Sequence, residues 1–206
     1  MGLREVKKER ARSAILKAAR ELFFSLGYDG TTVEAMAQKA EVAVGTVYNY
    51  FESKSSIILA ITDADTNAVL RENRCIPESA SGLDVLRDYV HTFMESLSMY
   101  PRKLLGELMR EAFSGAGGSL GEGLLEQDLS LIEGLAGLLE RLSGTGRLRD
   151  DFDPRTASLV IYGIVMTSLM WFTADENRTS QQMLDSMDGM LEIACRGLEP
   201  KGEATL

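Results

Sequence analysis

The stretch Val42–Lys54, VAVGTVYNYFESK, gathers the side chains best suited to chemistry on another molecule. Tyr48, Asn49 and Tyr50 stand side by side, preceded by Gly45 and Thr46. An asparagine amide carries both donors and an acceptor and can pair with adenine through two edges. A tyrosine offers its hydroxyl to phosphate and its ring to sugar. A glycine lets a backbone approach closely. Other chemistries find little support. Cys75, Cys195 and the single His91 are far apart and lack the spacing of a zinc site or a disulfide framework. The glycine-rich run Ser114 to Gly123 has no Gly-Lys-Ser/Thr after it and no strand before it, and Leu120 stands where GxGxxG needs its third glycine. It reads as a mobile loop. No catalytic residue, metal or cofactor is expected. An enzyme and a helical module that binds only proteins remain the rival classes.

The elements around the cluster are helical. Ile15, Leu16, Ala19, Leu22, Phe23 and Leu26 recur at spacings of three and four, predicting a helix from Glu9 that Gly27 ends. Thr31 and Thr32 offer an N-cap, with Glu34 behind, for a helix over about 33–40. A turn at Glu41-Val42-Ala43 leads to a short helix over about 44–50, and Ser53 can cap the next one. Two short helices joined by a tight turn and braced by a longer one describe a helix-turn-helix, whose second helix meets base edges in the major groove. Val47 and Phe51 then face inward. Thr46, Tyr48, Asn49 and Tyr50 lie outside, although Tyr50 fits a core equally well.

The net charge of −9 is unevenly spread. Residues 1–54 hold nine Lys/Arg against seven Asp/Glu, and the remainder thirteen against twenty-four. Arg4, Lys7, Lys8, Arg10 and Arg12 crowd the first twelve residues, a cationic head or simply a solvated face. A charged N-terminus argues against a signal peptide. The apolar run Ala157 to Phe172 is short of a membrane span. A cytoplasmic protein without a membrane partner is expected.

The residues Ala14-Ile15-Leu16-Lys17-Ala18-Ala19, Leu22-Phe23, Gly27-Tyr28, Thr31-Thr32-Val33, Met36-Ala37, Val42, Gly45-Thr46-Val47-Tyr48, Tyr50-Phe51 and Ser53-Lys54 resemble the TetR family of transcriptional regulators, in register over roughly 9–69. The resemblance implies an all-α fold: a three-helix DNA-binding head over 1–54, its motif at about 32–51, and a helical effector-binding and dimerisation body over 55–206. It implies DNA contacts by Thr32 and Lys54 to phosphate, and by Val44, Gly45, Thr46, Tyr48, Asn49 and Tyr50 on the recognition helix. Glu41 departs from the usual turn glycine, Val44 from a polar residue and Asn49 from histidine, so base preference does not carry over.

Body helices are predicted over 53–75, 82–100, 102–114, 124–143, 154–175 and 179–197, the fifth opened by Asp153 at N-cap and Pro154 at N1. That helix is apolar nearly all round and needs cover on every side. A second copy of the chain is the natural cover, with Leu159, Gly163, Leu169, Met170, Met183, Met187 and Met190 as interface candidates. The resemblance implies such a homodimer on a palindromic double-stranded operator, and a small-molecule effector. Tyr89, Phe93, Leu97, Met109, Phe113, Leu131, Leu135, Tyr162 and Met166 are the pocket candidates, or plain core. His91 and Arg87 are possible polar contacts. The expected function is a repressor released by a largely apolar effector; an activator, or a regulator without an effector, is the alternative.

Overall fold

The computed structural model describes residues 2–72, 79–113, 119–196 and 198. Among these there are helices and turns and no strand. The helices are α1 Leu3–Gly30, α2 Val33–Lys39, α3 Val44–Tyr48, α4 Lys54–Glu72, α5 Gly82–Ser98, α6 Arg102–Phe113, α7 Ser119–Gly144, α8 Pro154–Ala174 and α9 Ser180–Cys195.

Local chemistry sets most of the boundaries. Gly27, at φ 73° and ψ 179°, interrupts α1 and leaves one further turn to Gly30; the left-handed φ is open to glycine at little cost. The Thr32 hydroxyl accepts from the Ala35 amide at 3.1 Å and starts α2. Ser53 does the same for α4, accepting from Ser56 N at 3.1 Å. Asp153 accepts from Thr156 N at 2.9 Å, with Pro154 behind it, and Thr179 and Gln182 form a reciprocal capping box at α9. Three boundaries differ from expectation. α1 begins at Leu3 rather than Glu9, α3 ends at Tyr48 rather than Tyr50, and α7 begins at Ser119. Ser119 to Gly123 are therefore helical rather than loop, while 114–118 lie outside the described residues, as do the last three residues expected for the fourth helix.

The chain packs as two compact units, Met1–Thr66 with Met99–Leu125, and Asn67–Ser98 with Glu126–Leu206. The first buries Ile15, Ala19, Phe23, Met36, Val47 and Ile57 completely. Within it, Arg20 grips the Asp65 carboxylate through both guanidinium nitrogens, Nη1 at 2.8 Å and Nη2 at 2.5 Å. The Tyr100 hydroxyl donates to the same carboxylate, and burial, reinforced by that bond, pushes its pKa upward. The second unit packs α9 against α5 and α8 around Leu86, Val90, Ile161, Val165, Met187 and Leu191. By length and composition α8 is apolar enough to cross a membrane. In this fold Ser158, Ile161, Val165, Ser168, Leu169 and Phe172 are buried in the unit's own packing.

Candidate nucleic-acid interface

The turn between α2 and α3 is a complete Schellman motif. Ala40 is the C-cap, Glu41 follows at φ 56°, Glu41 N donates to Gln38 O at 3.2 Å, and Val42 N donates to Ala37 O at 3.0 Å. The motif normally places glycine at the left-handed position, and here an exposed glutamate occupies it. The turn therefore forms with the expected geometry but carries backbone strain at Glu41.

α3 is only five residues long, and tertiary packing holds it rather than helix propensity. Val47 is fully buried and Phe51 nearly so, which fixes the helix's rotation. That rotation leaves Tyr48 52% exposed and turns Gly45 and Asn49 to solvent. The space where a Gly45 Cβ would stand is open. Val44 and Thr46 are half-buried. Asn49 and Tyr50 lie just past the helix: Asn49 is the C-cap, still helical in backbone, with its amide donating to Gly45 O at 3.1 Å. Tyr50 is half-buried with its ring 6.4 Å from that of Phe51. It belongs partly to the packing, so the two readings open from the sequence are both partly met.

Thr32 is exposed at the start of α2, and its hydroxyl oxygen is used by the cap while its O–H stays available as a donor. Lys54 is committed to the fold more deeply than the sequence implies. Its Nζ donates to Tyr28 O at 2.6 Å and Thr31 O at 3.2 Å, and lies 4.0 Å from the Tyr28 ring centroid. Two of its three N–H donors thus neutralise carbonyls at the end of α1. Tyr28 completes this knot, stacking on Phe23 at 5.9 Å and sharing a 2.6 Å hydrogen bond with Ser55. In the sequence Tyr28 stands out only as part of the Gly27-Tyr28 resemblance, which assigns it no role.

Residues 15–61 match the family model described as bacterial regulatory proteins, tetR family. Over 97% of this chain and 88% of that protein, the sequence is 28% identical to the HTH-type transcriptional regulator TcmR of Streptomyces glaucescens. It is also 28% identical to the uncharacterized HTH-type transcriptional regulator YdeS of Bacillus subtilis, over 82% of each chain. Its fold is similar to that of Thermus thermophilus FadR, a TetR family repressor crystallised with lauroyl-CoA, at TM-score 0.77 and 22% identity, covering 95% of this chain and 98% of that one. Bacillus subtilis FadR, crystallised with stearoyl-CoA, is similar at TM-score 0.67 and 20% identity, over 90% and 98%.

Over residues 15–61 the chain carries a TetR-family DNA-binding region. It is a helix-turn-helix transcriptional regulator and not an enzyme.

The pocket candidates divide between the two units. Tyr89, Phe93, Leu97, Leu131, Leu135, Tyr162 and Met166 belong to the second, whereas Met109 and Phe113 are on α6 in the first, and the Phe113 side chain lies outside those described. Phe93, Leu97, Leu131 and Leu135 are buried core, while Tyr89, Met109, Tyr162 and Met166 are half-buried. One of them, Tyr162, has a polar partner that the sequence did not reveal. The Tyr162 hydroxyl donates to Asp128, and burial raises the pKa of both groups. His91 and Arg87 serve elsewhere: His91 Nε2 is 2.7 Å and Arg87 Nε 3.3 Å from Asp188 Oδ1, tying α5 to α9.

The interface candidates divide by burial. Leu169, Met183 and Met187 are buried in the chain's own packing, so they join α8 and α9 internally instead of forming an outer face. Met190 is half-buried. Leu159 (50% exposed), Gly163 and Met170 (47%) remain outside, and Val160 and Trp171 widen the same stripe.

Proposed function

We propose that the protein is a homodimeric repressor that binds a palindromic operator through α3 and leaves it when a small, largely apolar effector binds. In this reading residues 1–54 read the DNA and 55–206 carry the effector site and the dimer contact, and the protein acts in the cytoplasm. The observation that carries it is the pairing at α3: Val47 and Phe51 lock the helix, while Tyr48 and Asn49 are turned to solvent and free to meet a duplex. Asn49 is suited to one base, and Tyr48, Thr32 and the remaining N–H of Lys54 to phosphate. The exposed apolar stripe of α8 supports a second copy of the chain as its cover, since an isologous two-fold contact buries the same patch on both partners. The acyl-CoA ligands of the structurally similar FadR proteins support an effector with a long apolar part. A hundredfold release requires the effector to favour the released form by about 2.7 kcal/mol in coupling.

The test is selection of bound duplexes from a random pool, followed by challenge of the complex with a panel of acyl-CoA esters and free fatty acids. A two-fold consensus and release by one chain-length class are expected. Calorimetry must then show the operator weakening that ligand by the same factor, because the coupling is reciprocal. A pool that enriches no sequence, or a ligand whose affinity ignores the operator, refutes the reading.

A further inference from the structure

We infer that the first three turns of α1 are a second DNA-binding element, in which Lys8 and Arg12 hold backbone phosphates beside the duplex segment read by α3. The inference rests on the DNA-binding reading above and adds a site to it.

The first fully buried residue of α1 is Ile15, yet the helix begins twelve residues earlier, at Leu3. With 3.6 residues per turn, Lys8 and Arg12 continue the row formed by Ile15, Ala19 and Phe23. The face that is apolar and buried further along α1 thus carries Lys8 and Arg12 in the two turns before Ile15. Lys7 flanks this row, and Lys7 and Lys8 are both exposed. Glu5 lies in the row itself, one turn before Lys8, with its carboxylate accepting from the amide of Gly2 at 2.8 Å, and the exposed Glu9 flanks the row on the side opposite Lys7. No carboxylate among the described residues engages Lys8 or Arg12.

Arg12 fixes where this stripe leads. Its guanidinium carbon lies 5.6 Å from the Phe51 ring centroid, and Phe51 is two residues past Asn49. A stacked guanidinium keeps its N–H fork free for a phosphate while the ring holds its plane. Lys8 follows one turn, about 6 Å, along the axis. The stripe is therefore continuous with the end of the recognition helix, and its charge is complementary to a phosphate backbone. An acidic protein segment would match the charge but not the continuity with α3.

The experiment uses the full chain, a duplex recovered by selection and an unselected duplex of equal length. Binding of wild type, Lys8→Gln, Arg12→Gln, the double variant and Arg12→Lys is measured across a salt series. Each lost phosphate contact should shallow the slope of log affinity against log salt by about 0.9, so the double variant should lose about two units per protomer. Base preference should stay as in wild type, and both duplexes should be weakened alike. Arg12→Lys keeps the charge without the planar fork and should retain most of its slope, which separates phosphate binding from a packing role on Phe51. A double variant that keeps the wild-type slope, or Arg12→Lys behaving as Arg12→Gln, overturns the inference while leaving α3 recognition standing. A wild type that binds neither duplex overturns both.

Discussion

Glu41 is the residue whose replacement should improve this protein. It sits at the left-handed position of the Schellman turn, φ 56°, with both hydrogen bonds of the motif formed around it. A non-glycine residue there costs about 1–2 kcal/mol, because Cβ crowds the following carbonyl. Glycine removes that cost but has more freedom to lose on folding, roughly 0.5–1 kcal/mol. The balance for Glu41→Gly is a gain of about 0.5–1 kcal/mol. For a chain of this length that raises Tm by about 1–4 °C. The side chain is exposed, so no packing is lost. Glu41→Gln isolates the backbone effect, since it removes the charge and keeps the crowding. Glu41→Asn should fall between, because asparagine tolerates this conformation better than glutamine. Urea denaturation followed by circular dichroism, at one protein concentration because any self-association makes stability depend on it, gives the ranking Gly above Asn above Gln and wild type. If the glycine and glutamine variants unfold at the same midpoint, strain at this turn is not stored as argued.

Asn49→Ala should change which base is preferred at one operator position, costing about 1–3 kcal/mol there, and competition between operators mutated at single positions reads it. Lys54→Ala should weaken binding to all duplexes alike and also lower stability by about 1–3 kcal/mol, because the carbonyls of Tyr28 and Thr31 lose a charged donor; an unchanged unfolding midpoint would contradict the bonds seen here. Leu159→Glu combined with Met170→Glu, both on the exposed stripe of α8, should give a folded protein of monomeric mass by light scattering, whereas a dimeric mass would remove α8 from the interface. Burial raises the Asp128 pKa above its unfolded value, so the stability it contributes is fully present below the ordinary aspartate range and lost as pH rises through the raised folded value. Asp128→Asn should therefore flatten that part of a Tm-against-pH profile and stabilise the protein at neutral pH; a variant profile parallel to wild type would exclude this.

The head was legible because its signals are local. Thr32, Gly27, Val47 and Phe51 each carry a signal confined to their own turn, and each performs the expected task. What escaped was non-local or unpatterned. The first two turns of α1 carry no apolar row, so periodicity could not extend the helix to Leu3. Gly121 and Gly123 argued for a loop, yet α7 includes them at a cost of about 1 kcal/mol each relative to alanine. The bonds from Lys54 to Tyr28 and from Asp128 to Tyr162 join residues distant in sequence, and no spacing rule foretells them.

The facing of α8 shows most clearly where sequence reasoning stops. A helix apolar all round has no stripe, so Leu169 and Met170 look alike until α9 is packed against them. Small residues decide the outcome as much as large ones. Ser158 and Ser168 are buried, their hydroxyls returned to Arg155 O and Ile164 O at 2.8 Å each. Satisfied in this way, they line a face that can be buried without loose polar groups, and their size permits the close approach of a neighbouring helix. Turning that face inward necessarily turns Leu159, Val160, Gly163, Met170 and Trp171 outward. The outer stripe therefore joins large apolar side chains to a glycine, where a second helix can also approach closely. The same packing choice that completes the monomer's second unit leaves it with an apolar face to cover.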